Sequence, residues 1–246
     1  EGKFGFFQSE RDTYLRIAGA LGIPCTLTPD GVTAVRHPLV YLVEAADDIC
    51  YEVMDIEDAY KLRLLSADEA LGLYLAFFSP DERRRLSAAY PETTSPGDRV
   101  AYCRSCVINA LERAAVNVFV ENEEAILAGT FTGSLIDHMP EPLLSAYRHC
   151  ERVAYARIYN SREVTDIDLA GYRIIYTLLE LMTEAVLQPD KAYSRLLLQQ
   201  VSAQYQLDAP RLIDRIMAVL DYVSGMTDVY ALDLYRKING HSLPSV

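Results

Sequence analysis

Three polar residues spaced four apart, Asp47, Tyr51 and Asp55, stand in the stretch YLVEAADDICYEVMDIEDAYKLRLL, Tyr41 to Leu65. Residues four apart on a helix share a face, so these three form one stripe, with Glu44 and Asp58 near its ends. Carboxylates can bind a divalent cation or accept hydrogen bonds from a substrate, and a tyrosine ring can pack against one. Leu39, Leu42, Val43, Ala46, Ile49, Cys50 and Val53 cover much of the remaining circumference. A helix this apolar is expected to be buried. Buried carboxylates are costly unless paired, hydrogen-bonded or bound to metal. Two readings follow. The stripe is a solvated acidic face, or it is a cleft in which Asp47 binds a metal while Tyr51 and Asp55 hold a polar substrate. The tyrosine within the stripe and the apolar flanks weigh against the first. Asp48 points about 100° away from Asp47 and reads as a supporting or surface residue.

The elements that would position this stripe are helical. Pro38 suits the first turn of a long helix, over about 38–65. Ser9 followed by Asp12 can cap a helix over roughly 10–21. CTLTPDGVTAV is the one β signal: two β-branched runs flank Pro29-Asp30-Gly31, which predicts a small hairpin near residues 25–35. Ser66-x-x-Glu69 is a capping-box pattern opening a helix near 67–78, and Pro80 opens another to about 90. Further helices are expected at 99–122, 142–159, 166–187, 190–205, 209–224 and 227–238, the last with Asp228 as a cap candidate. The expected fold is all-α, a helical bundle with one hairpin. No internal repeat or clean domain boundary is visible.

Other chemistries find little support. Cys103-x-x-Cys106 falls mid-helix without a second pair or a nearby histidine, so it lacks a zinc ligand set. His37, His138, His149 and His241 are scattered, and neither a phosphate-cradling loop nor a dinucleotide fingerprint is present. The 246 residues are 50% hydrophobic, enough for one large domain or two small ones. Five scattered cysteines do not look like a disulfide framework, which points to a cytoplasmic setting. A net charge of −12 argues against non-specific nucleic-acid binding. No apolar run is long enough for a membrane span. The opening EGKFGFFQSE reads as a Gly/Phe-rich connector from within a longer protein.

RHPLVYLVEAADDICYEVMDIEDA (36–59) resembles a metal-ligand segment of the deoxyguanosine triphosphate triphosphohydrolases, which are HD-superfamily dNTPases. KFGFFQSE (3–10), DLAGYRIIYTLLE (168–180) and DYVSGMTDVYALDLYRKING (221–240) agree, so the resemblance runs from end to end. It implies an HD-domain-like bundle. Residues 1–122 would be the remainder of the catalytic core and 123–246 a C-terminal helical region. The family's metal site is built from a histidine, a His-Asp dipeptide and a distant aspartate. This sequence has no His-Asp dipeptide, only Asp137-His138 in reverse order. The resemblance makes Asp47 the final metal ligand, for Mg, Mn or a similar divalent ion. It puts Tyr51 on the deoxyribose and Asp55 on its 3′-hydroxyl. The catalytic residues are expected outside this sequence.

The reaction implied is hydrolysis of dGTP, or another dNTP, to deoxynucleoside and tripolyphosphate, by water attack at the α-phosphorus. Lys3 is by resemblance the first candidate for the triphosphate. Arg36, Arg99 and Arg104 follow on weaker grounds, and each also reads as an ordinary surface or helix-end charge. Tyr102 lines the base pocket or is a core tyrosine. The family forms homo-oligomers, often hexamers, and single-stranded DNA enters only through the resemblance. Two alternatives remain: another HD-superfamily phosphohydrolase, such as a 5′-nucleotidase or phosphodiesterase, and a non-catalytic helical assembly domain.

Overall fold

The computed structural model describes residues 6–28, 31–89 and 94–242. The chain divides into two compact units, one up to Asn160 and one from Ser161. The expectation of an all-α fold with one hairpin is borne out among the described residues. The first unit holds α1 (Arg11–Ala20), the strands β1 (Cys25–Thr28) and β2 (Gly31–Ala34), and α2 (Pro38–Lys61). It continues with α3 (Ala67–Leu75), α4 (Pro80–Ala88), α5 (Pro96–Glu121), α6 (Glu123–Leu127) and α7 (Glu141–Val153). A π-helical turn, Ala154–Tyr159, extends α7. The second unit holds α8 (Arg162–Leu187), α9 (Ala192–Leu198), α10 (Leu212–Ser224) and α11 (Asp228–Ile238).

Local chemistry explains most helix starts. Pro38 occupies the first turn of α2, and the His37 imidazole accepts the Leu39 N–H. Ser66 and Glu69 form a reciprocal capping box on α3, and Ser79 and Glu82 do the same on α4. Some expectations need correction. Ser9 is no cap: a 3₁₀ turn, Gln8–Glu10, precedes α1, and the Glu10 carboxylate accepts the Phe7 N–H. The α11 cap is Thr227, whose hydroxyl accepts from Tyr230, with Asp228 inside the first turn. α9 is shorter than 190–205. α2 closes at Lys61, because Arg63 takes a left-handed φ of 62° and the Leu64 N–H returns to the Ala59 carbonyl.

β1 and β2 pair antiparallel from Cys25 with Ala34 to Thr28 with Gly31. The expected turn residues Pro29 and Asp30 lie outside the described residues.

The first core is built on α2. Tyr41, Ile49, Val53 and Ile56 pack with Val107 and Leu111 of α5 and Tyr74 of α3. Buried tyrosines bond to main-chain oxygens here. Tyr74 Oη donates to the Val53 carbonyl at 2.7 Å, and Tyr41 Oη to the Phe131 carbonyl at 3.0 Å. These bonds satisfy polar groups that burial would otherwise strand. The second unit has its own core, with Leu178, Met182 and Val186 of α8 against Leu197, Val219 and Leu234.

Gly129 follows α6 with φ +72°, and a Cβ there would lie 2.3 Å from Val35 Cγ1, just past β2. Both the left-handed backbone and the close approach require glycine. Gly129→Ala should destabilise the first unit by about 1–3 kcal/mol. Thermal unfolding should show a clear fall in midpoint, and an unchanged midpoint would contradict this packing.

Candidate functional site

α2 does not bury its whole circumference. One side enters the core through Tyr41, Ala45, Ile49, Val53 and Ile56. The other side carries Asp47 and Tyr51 to the surface, with Tyr51 67% exposed. That surface is no purely acidic face, because Leu39, Val40 and Val43 are exposed on it too, Val43 at 69%. The expected burial of the helix therefore holds for one side only. The stripe shares its face with uncovered apolar side chains.

Along the stripe, Asp55 turns toward α7 and becomes half-buried. The Tyr159 hydroxyl, from the end of the π-helical turn, donates to an Asp55 carboxylate oxygen. Burial, then this bond to a carboxylate, push the Tyr159 hydroxyl's pKa upward, so it stays a donor. The contact spans 104 residues of sequence. Tyr159 is the neighbour of the stripe that sequence reasoning missed. The only signal open to it was a tyrosine near the end of the helix expected over 142–159.

The other nominated residues lie apart. Arg36 Nη2 pairs with Glu44 Oε2 at 2.6 Å, and its guanidinium stands 4.4 Å from the Tyr41 ring centroid. Glu44 is thereby held at the N-terminal end of the stripe. Arg104 of α5 pairs with Glu57 at 2.5 Å. Glu57 lies ten residues past Asp47, a rise of about 15 Å. At 100° per residue it also faces away from Asp55. Arg99 is half-buried on the same helix. Tyr102 is exposed rather than a core tyrosine. Asp48 is half-buried, and its carbonyl accepts the Tyr147 hydroxyl at 3.1 Å. Lys3 lies outside the described residues. Cys103 is fully buried and Cys106 half-buried, as ordinary thiols.

The packed side of α2 hides two carboxylates that periodicity did not single out. Glu57 is buried but compensated by Arg104 and by Lys61 at 3.1 Å. Glu52 is 7% exposed, and its Oε1 has no hydrogen-bond partner among the described residues. Burial raises its pKa to about 7, with the carboxylates of Glu151 on α7 and Asp55 adding to the rise. Burial also pushes the nearby Cys150 thiol up to about 12, so that thiol is no nucleophile at neutral pH.

Among the described residues, no group of three or more His, Cys, Asp or Glu side chains could hold a metal ion. Asp47 alone does not make a metal centre. No described helix is long and apolar enough to cross a membrane.

The buried Glu52 carboxyl fixes a pH dependence. Its folded pKa lies above the ordinary 4.5, so the folded state holds the proton more tightly. The stability this contributes is full below pH 4.5 and is lost as pH rises through about 7. The loss amounts to roughly 3 kcal/mol. Urea unfolding from pH 5 to 8 should show a decline that Glu52→Gln flattens. Parallel pH profiles for the two proteins would contradict the assignment.

Residues 138–237 match the family described as phosphohydrolase-associated domain. A Pseudomonas aeruginosa protein named deoxyguanosinetriphosphate triphosphohydrolase-like protein is 32% identical over 251 residues, covering 99% of this chain and 55% of its own. A Listeria monocytogenes protein of the same name is 31% identical over 268 residues, covering 98% and 55%. A Yersinia enterocolitica protein named deoxyguanosinetriphosphate triphosphohydrolase is 25% identical over 247 residues, covering 82% and 48%. The chain spans about half the length of the curated relatives it matches.

Proposed function

We propose that this chain, whose residues 138–237 match the phosphohydrolase-associated domain family and which is similar along most of its length to deoxyguanosinetriphosphate triphosphohydrolase-like proteins, supplies one wall of a deoxynucleoside triphosphate hydrolase site. The reaction is cleavage of dGTP or another dNTP to deoxynucleoside and tripolyphosphate. The observation that carries the reading is the row Asp47, Tyr51, Asp55 on the open face of α2, with Asp55 held by the Tyr159 hydroxyl.

Each residue has a distinct task. The Tyr51 ring packs against the deoxyribose and leaves no room for a 2′-hydroxyl. The Asp55 carboxylate accepts from the 3′-hydroxyl. Tyr159 occupies part of that carboxylate's acceptor capacity and orients the rest, as groups behind a ligand commonly do. Asp47 serves as one ligand of a divalent ion such as Mg²⁺ or Mn²⁺, which supplies Lewis-acid chemistry when bound. The remaining ligands and the catalytic residues come from polypeptide outside this sequence, which the absence of a His-Asp dipeptide supports. The exposed Leu39, Val40 and Val43 then become the seat for that polypeptide. Lys3, Arg36 and Arg99 are the triphosphate candidates. Arg104 is the weakest, being engaged by the buried Glu57.

The test uses the longer protein that contains this chain, assayed for tripolyphosphate release from dNTPs with Mn²⁺. Asp47→Ala should lower kcat/KM roughly 10²–10³-fold. Tyr159→Phe and Asp55→Asn should raise KM by roughly tenfold or more. Tyr51→Ala should narrow the preference for dGTP over GTP. The present chain alone should release little tripolyphosphate. Full activity of the Asp47→Ala protein would move the chain to a non-catalytic role.

A further inference from the structure

The first unit carries a concavity on the far side of α7 from the stripe. On α7, Tyr147 points toward α2, where its hydroxyl bonds the Asp48 carbonyl. Ser145, His149 and Arg152 lie roughly opposite Tyr147 on the helical wheel, on one row. That row lines a cleft of about 850 Å³ against the α3–α4 corner. The volume falls within the range of small-molecule sites, about 300–1,000 Å³.

The walls differ in chemistry. Phe77, Phe78 and Leu143 give apolar surface, with Phe77 and Ala146 buried beneath. The rim is cationic. Arg83, part of the lining, donates its Nε–H to the Phe78 carbonyl at 2.7 Å, which ties the guanidinium to this corner without using its terminal amino groups. Arg152 and His149 are exposed, with no hydrogen bond or ion pair to another side chain among the described residues. The one acid of the lining, Glu82, is occupied by its own helix start. It accepts from the Ser79 N–H at 2.8 Å and the Ser79 hydroxyl at 2.6 Å. In a chain of net charge −12, this is a local reversal of sign with two guanidinium groups around an aromatic floor.

We infer that this cleft binds a small phosphomonoester carrying a planar or apolar ring. Arginine forks match phosphate oxygens and bind them in pairs. The Ser145 hydroxyl and the His149 ring supply further donors. The Phe78 and Leu143 surfaces cover the ring. Ligand entering from this side touches neither Asp47 nor Tyr51, so the inference is independent of the proposed hydrolase site.

Isothermal titration of this chain with phenyl phosphate, inorganic phosphate and phenol tests it. Phenyl phosphate should bind, phosphate alone should bind more weakly, and phenol should not bind measurably. Arg152→Glu with His149→Glu should weaken phenyl phosphate at least tenfold. Both residues are exposed, and far-UV circular dichroism checks that the fold is kept. No binding at millimolar phenyl phosphate, or equal binding by wild type and the double variant, would overturn the inference.

Discussion

The packing of α2 against α5 on one side and α7 on the other fixes the rotation of α2 about its axis. Every role proposed for the stripe depends on that rotation. It sends Ile49, Val53 and Ile56 inward and turns Asp47 and Tyr51 out. Side-chain hydroxyls on main-chain carbonyls lock it, from Tyr74 to Val53 and from Tyr147 to Asp48. A slip by one residue would swing the helix by about 100° and place the Asp47 row against the core.

The same rotation sorts the carboxylates by environment. Glu57 meets Arg104 and Lys61, so its burial is compensated. Glu52 faces Glu151 and Asp55, its Oε1 has no hydrogen-bond partner among the described residues, and its pKa is raised to about 7. Asp55 sits at the boundary, half-buried and bonded by Tyr159. Along the stripe Asp47 and Asp58 are the exposed carboxylates, Asp58 accepting from Lys61 at 3.2 Å. Carboxylates within one helix thus range from a compensated ion to a buried acid, and position on the wheel decides which.

Much of this was legible in the residues. Pro38 and the Ser66–Glu69 box set real helix starts, and the 3.6-residue period located the Asp47–Tyr51–Asp55 row. The failures share a cause. Hydropathy marked nearly the whole circumference of α2 as apolar, and it cannot say which apolar side finds a partner within the chain. Hence the exposed Val43 and the buried Glu52 were both unforeseen. Tyr159 was invisible because its partner lies 104 residues away, a distance that only tertiary packing closes. The overlong α9 and the misplaced α11 cap reflect choices between adjacent polar residues, which local geometry settles.

The central claim is that the open face of α2 receives the sugar of a deoxynucleoside triphosphate. A crystal structure of the longer protein with a non-hydrolysable dGTP analogue tests it most directly. The account predicts the 3′-hydroxyl within about 3 Å of an Asp55 carboxylate oxygen, the Tyr51 ring against C2′, and the Tyr159 bond to Asp55 retained. A sugar bound elsewhere, with Tyr51 and Asp55 covered by protein, would contradict it.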